Sequence, residues 1–175
     1  MANVPAVPVP WLVQLINEYA PQPRKAAGED GDPYPDVMRE PDAPRIGTVA
    51  EQDLADVARR LWLVFGAANE TDRADRFNKL LKAAGLSPQV DQHGDLRWAT
   101  RHAGRRALLL AACTASLLQA IQAHGWLRLG TCAGDDCLDI YLDRIGRGGR
   151  RYCSITCLNR ARSRAYRSRQ RTSSR

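Results

Sequence analysis

The chain has no long unbroken apolar run, no catalytic constellation and no repeated unit, and from Arg144 to Arg175 it contains neither an acid nor a lysine. The most apolar stretch, Ala107 to Ala123, is interrupted by Thr114, Ser116, Gln119 and Gln122. It is rich in alanine and slightly short for a bilayer core of about 30 Å, so it reads as a buried helix and no membrane partner is expected. The first ten residues lack a positive start and carry Pro5, Pro8 and Pro10, unlike a secretory leader. Five cysteines without such a leader suit a reducing compartment, where thiols stay available for metal. The expected location is the cytoplasm of a prokaryote or an equivalent reducing space.

Paired carboxylates, a glycine-rich phosphate loop and a Ser/Cys–His pair are all missing, which argues against an enzyme. None of the three histidines lies at ligand spacing: His93 falls in a turn, and His102 and His124 flank the apolar helix. His124 suits the negative end of that helix. Asp135 and Asp136 read as turn residues.

The composition is 44% hydrophobic and 26% charged, that of an ordinary globular protein. A length of 175 residues allows one full domain and a small appended one. The net charge of +7 is unevenly placed: positions 144–175 hold eleven of the 26 basic residues and none of the 19 acids. Positions 1–143 therefore carry fifteen cations against nineteen acids, a net of −4. Basicity confined to one segment indicates a localised polyanion site.

Helical spacing is clear in Trp11 to Tyr19, where Leu12, Leu15, Ile16 and Tyr19 share a face. From Pro21 to Gly47, six prolines and three glycines predict a long loop, with Gly47 its last residue. Thr48 and Glu51 have the spacing of a capping box, followed by an apolar stripe of Leu54, Val57, Ala58, Leu61 and Phe65, the pattern of an amphipathic helix. A further helix from near Thr71 buries Phe77, Leu80, Leu81 and Ala84 and stops at Gly85. Pro88 to Trp98 predicts a hairpin turning at Gly94, and a long helix runs from about Ala103 to His124. Residues 1–128 are thus expected as a mainly helical domain, with 129–175 a separate module.

In that module Cys132, Cys137, Cys153 and Cys157 form two close pairs, Cys-x4-Cys and Cys-x3-Cys, with fifteen residues between them. Such pairs bring four thiolates together with little loop to close, and four sulfurs suit a structural Zn²⁺. Disulfide pairing in a redox sensor is the alternative. Cys113, within the apolar helix, reads as a core thiol. Leu138 to Leu142 alternates like a strand, glycines 146, 148 and 149 supply a turn, and Arg150 to Cys153 is expected to return beside it. Ser154 can cap a helix toward Gln170. The predicted fold is mainly α with a small β-hairpin, ending in a treble-clef-like or zinc-ribbon-like four-cysteine zinc finger.

On that helix Arg160, Arg164, Arg167 and Arg171 fall along one side, with Arg162 and Arg169 toward another flank. Leu158, Ala161 and Ala165 offer a narrow strip to rest on the finger. So many like charges repel unless phosphates neutralise them, and arginine adds bidentate contacts to phosphate or guanine. Candidate nucleic-acid contacts are these six arginines together with Arg150, Arg151 and Asn159; Asn159 and Arg160, in the first turn after a cysteine ligand, equally suit a structural role of hydrogen-bonding the thiolates. Tyr152 and Tyr166 read as packing residues or stacking platforms.

With these residues in hand, the C-terminal segment resembles the CGNR zinc finger: the Cys-x4-Cys knuckle, the arginine-rich stretch before the third cysteine, and Cys157-Leu158-Asn159-Arg160 leading into a basic helix. Leu158 stands where the namesake motif has glycine. The front part is similar to the ABATE domain that precedes this finger. The resemblance implies a stress-induced bacterial transcription regulator. The reading as a whole is a regulator that binds double-stranded DNA, with an N-terminal domain that senses an unidentified effector or forms a homodimer. One finger reads few base pairs, so useful specificity calls for a dimer or a partner protein. RNA binding and protein docking by a basic tail are the rival readings.

Overall fold

Proline opens two of the first helices. The computed structural model describes residues 1–143 and 149–173. After a two-residue strand β1 (Ala2–Asn3), helix α1 (Val9–Tyr19) starts with Pro8 as its N-cap and Pro10 in its first turn, where a missing N–H costs no hydrogen bond. It buries Trp11, Leu12, Leu15, Ile16 and Tyr19.

The stretch 21–47, expected as a loop, is instead partly helical. Helix α2 (Pro21–Ala27) uses Pro21 and Pro23 in its first turn and ends at Gly28, whose φ of 80° is left-handed. A 3₁₀ turn follows at Val37–Arg39. Proline density suggests irregular chain, but buried Arg24 orders it. Its guanidinium donates to the carbonyls of Glu18 (3.2 Å), Glu29 (2.9 Å) and Asp32 (2.6 Å). It also lies 4.2 Å from the centre of the Tyr34 ring, which stacks on Tyr19 at 4.7 Å.

Helix α3 (Glu51–Phe65) begins after Ala50, and no side chain caps it. The capping box expected at Thr48 is not formed: the helix starts two residues later than that cap requires, and the Thr48 carbonyl accepts from Arg105 at 3.3 Å. The predicted stripe is buried in full, together with Val64. Helix α4 (Glu70–Ala84) is capped by Asn69, whose side-chain oxygen accepts from the Asp72 amide at 2.9 Å, a cap worth about 1 kcal/mol. It buries Phe77, Leu80 and Ala84, leaves Leu81 half-buried and ends at Gly85 with φ of 60°. A Cβ at Gly85 would lie 2.8 Å from the His102 ring. Space and backbone both demand glycine there.

Strands β2 (Leu86–Val90) and β3 (Leu96–Thr100) form the expected hairpin, pairing Leu86 with Thr100 and Val90 with Leu96 around Gly94; β1 adds to the other edge of β3. Helix α5 (Arg105–His124) is long and apolar enough to cross a membrane by length and composition, yet it packs among α1, α3 and α4 as the central core helix. Cys113 is wholly buried there.

A 3₁₀ turn (Trp126–Arg128) leads into β4 (Leu129–Thr131), which pairs antiparallel with β5 (Ile140–Leu142); Leu129 faces Leu142 and Thr131 faces Ile140. This corrects the expected pairing of residues 138–142 with 150–153. Alternation marks the strand but not its neighbour, and Leu129, Ile140 and Leu142 gain burial by joining the helical core. Residues 150–153 stay irregular, and glycines 146 and 148 lie outside the described residues. The last helix, α6, spans Ile155–Ser173.

Candidate metal centre and basic helix

The β4–β5 hairpin places its tip, residues 132–139, against the start of α6. Gly130 allows this tight pairing: a Cβ there would lie 2.6 Å from the ring of cross-strand Tyr141. The Tyr141 hydroxyl donates to the Arg150 carbonyl, and the Arg150 guanidinium stacks 5.0 Å from that ring. The Ala133 amide then donates to the Arg151 carbonyl at 2.8 Å, joining the tip to the segment before Cys153.

Four thiols converge here. The Sγ atoms of Cys132, Cys137, Cys153 and Cys157 all lie within 4.8 Å of one another, and the Cys137–Cys153 and Cys153–Cys157 separations are both 3.6 Å. A tetrahedron with Zn–S bonds of about 2.3 Å has edges of about 3.8 Å, so the cluster fits Zn²⁺. The separations are far beyond a disulfide bond of about 2.05 Å, and all five cysteines are free. The Cys153 amide points at Cys132 Sγ (3.4 Å), and the Ser154 hydroxyl caps α6 by accepting from the Cys157 amide (3.2 Å).

Burial raises the Cys137 thiol far above its usual range and pushes Cys153 up to about 12. Burial also acts upward on Cys157, but the Ser154 hydroxyl and the neighbouring thiols outweigh it and hold that group below its usual value. Four thiolates so close repel one another in a partly dry site, and a divalent cation offsets that cost.

Residues 128–170 match the CGNR zinc finger. No curated protein matches the chain. The matched CGNR segment spans the last 3₁₀ turn residue, both finger strands, all four clustered cysteines and most of α6. A four-cysteine cluster in such a finger indicates Zn²⁺ as its metal.

The arginines divide by environment. Arg150 turns inward on the CGNR finger, donating to the carbonyls of Tyr152 (2.7 Å) and Cys153. Arg164 forks onto both Asp135 and Asp136, which are therefore more than turn residues. Arg151, Arg160, Arg162, Arg167, Arg169 and Arg171 are exposed and make no ion pair with a described residue, and Asn159 is exposed beside them. The expected apolar strip is shorter than predicted: Leu158 and Ala161 are half-buried, but Ala165 is exposed. Beyond Arg164 the helix stands clear of the finger.

Two side chains that position the finger, and one beside its thiols, escape a reading of the sequence. Asn17 on α1 donates to the Ile140 carbonyl (3.2 Å) and accepts from its amide (2.8 Å). Trp62 on α3 donates to the Leu138 carbonyl at 2.9 Å. Asp139 lies 3.4 Å from Cys153 Sγ. Their partners are distant in sequence, and no local motif signals such contacts.

Proposed function

We propose that this chain is a DNA-binding transcription regulator in which Cys132, Cys137, Cys153 and Cys157 hold a structural Zn²⁺ and α6 is the nucleic-acid-binding element. The observation that carries this reading is the juxtaposition of a four-sulfur cluster with a helix whose exposed length bears five arginines without an ion pair to a described residue. The CGNR match adds an association with transcriptional regulation.

The division of labour is physical. A finger of about forty residues buries too little apolar surface to hold itself, so metal and helical core share the task. The clamped N-terminus of α6 fixes the direction of a rod that projects past the protein surface. Like-charge repulsion along that rod is relieved when phosphates replace its counterions. The N-terminal region, ABATE-like in sequence, acts as the rigid base to which the finger is bolted through Asn17 and Trp62. Arg150 and Arg164, candidate contacts by sequence, serve the finger's own architecture, leaving Arg151, Arg160, Arg162, Arg167, Arg169 and Arg171 for phosphate.

A filter-binding series on zinc-loaded protein, comparing duplex DNA with structured RNA from low to moderate salt, tests this. The reading requires tighter binding to the duplex and a steep fall with salt. Tighter binding to RNA, or indifference to both, refutes it.

A further inference from the structure

The exposed part of α6, Asn159 to Arg171, sorts its side chains by direction. At 3.6 residues per turn, Arg160, Arg167 and Arg171 form one row, and Arg162 and Arg169 form a second row about 180° away. The residues between the rows are not alike. Ala161, Ala165 and Ser168, all small, share the side on which Cys157 and half-buried Leu158 meet the finger. Asn159, Ser163, Tyr166 and Gln170 fall on the opposite side, about a quarter turn from either row. All four are exposed, and the Gln170 amide donates to the Tyr166 hydroxyl at 3.0 Å.

We infer that Asn159, Ser163, Tyr166 and Gln170 form the base-reading edge of α6 in the major groove of duplex DNA, while the two arginine rows grip the phosphate strands on either wall. This rests on the proposed DNA binding and names the residues that make it specific. A helix lying along a single strand or against an acidic protein patch needs cations on one side only. Cations on two opposed sides, with a neutral hydrogen-bonding strip between them, match a groove that is negative on both walls and polar at its floor. The groove is about 12 Å wide and admits an α-helix of about 10–12 Å. Double-stranded RNA does not offer this seat, because its major groove is too deep and narrow for side chains to read. Asparagine and glutamine match the N6/N7 edge of adenine, so adenine-containing steps are the predicted targets. Asp135 and Asp136 support the orientation: they sit on the finger side with Arg164 and would repel phosphates approaching there.

The test uses the full zinc-loaded chain. Duplexes enriched from a random pool are compared with scrambled duplexes at one salt concentration, giving a specificity ratio. Gln170→Ala is expected to lower that ratio about 5- to 100-fold with the salt slope unchanged. Gln170→Glu is expected to move the preferred base at one position from adenine toward cytosine. Arg162→Ala should weaken both duplexes by the same factor. Gln170 is exposed and far from the cysteines, so neither change at that position threatens the fold. A wild-type ratio of one, or a ratio unmoved in both Gln170 variants, overturns the base-reading edge while leaving DNA binding in place. Failure to bind any duplex at low salt overturns the proposed function itself.

Discussion

The side-chain amide of Asn17 pairs with both backbone groups of Ile140, donating to its carbonyl at 3.2 Å and accepting from its amide at 2.8 Å. A helix side chain thus completes the open edge of β5, as another strand would. The contact ties the first helix to the zinc finger across 123 positions of sequence. Because Ile140 is also buried in the helical core, the finger's orientation is set by the N-terminal region.

Asn17→Ala removes both bonds and leaves two backbone groups of a buried residue unpaired. The expected loss is about 2 kcal/mol of unfolding free energy, measured by urea denaturation. Asn17→Asp keeps the acceptor but sets a carboxylate oxygen against the Ile140 carbonyl, so it should not restore stability. Equal stability of the alanine variant and the parent would show that the pairing is incidental.

Zinc should be removable without global unfolding. Cys137, Cys153 and Cys157 line an open cavity of about 760 Å³ between α1 and the finger, which gives a chelator access. Elemental analysis is expected to find one zinc per chain, and none in Cys153→Ser. Circular dichroism of that variant should lose the contribution of α6 and keep that of the core helices. Undiminished metal in the variant would sink the ligand assignment.

Arg164 and Arg167 lie on the same side of α6 but should behave differently. Arg167 is exposed without an ion pair to a described residue, whereas Arg164 is already neutralised by Asp135 and Asp136. Arg167→Ala should reduce the slope of log K against log salt by about 0.9, and Arg164→Ala by clearly less. Equal reductions would mean that Arg164 leaves its aspartates for phosphate.

Asp56 anchors α3 to α5. Burial acts to raise its carboxyl, but hydrogen bonds from Arg106 and Arg59 and the charge of Arg60 outweigh it and lower it below the usual carboxylate range. A lowered folded-state value stabilises the protein above the unfolded value of about 3.9, and the benefit disappears as pH falls through the folded value. The arginines are partly exposed and screened, so Asp56→Asn should cost about 1 kcal/mol at neutral pH. The gap between thermal melts of the two proteins should begin to close below about pH 4 and vanish only below the folded value; a constant gap would remove the electrostatic account.

Much of the local structure is legible from residue order. The apolar stripe Leu54–Phe65, the stop at Gly85 and the turn at Gly94 depend on short-range periodicity and on glycine's access to positive φ. Residues 21–47 read as irregular when Pro21, Pro23 and Arg24 are weighed as solvent-facing residues, whereas buried Arg24 gathers three carbonyls. The Thr48 box does not form because α3 starts only after Ala50, a boundary that the Thr48–Glu51 spacing does not reveal.

Four cysteines at close spacing and an arginine run without acids determined, by themselves, that residues 129–175 form a cationic module with thiols set for a metal. That information is local, since ligand spacing and charge sign survive in any conformation. Tertiary structure alone decided which strand β5 would join, which arginines would be taken up by the finger's own carbonyls and carboxylates, and which way α6 would point. Those outcomes depend on burying Leu129, Ile140 and Leu142 against distant helices, and sequence order does not encode distances across the core.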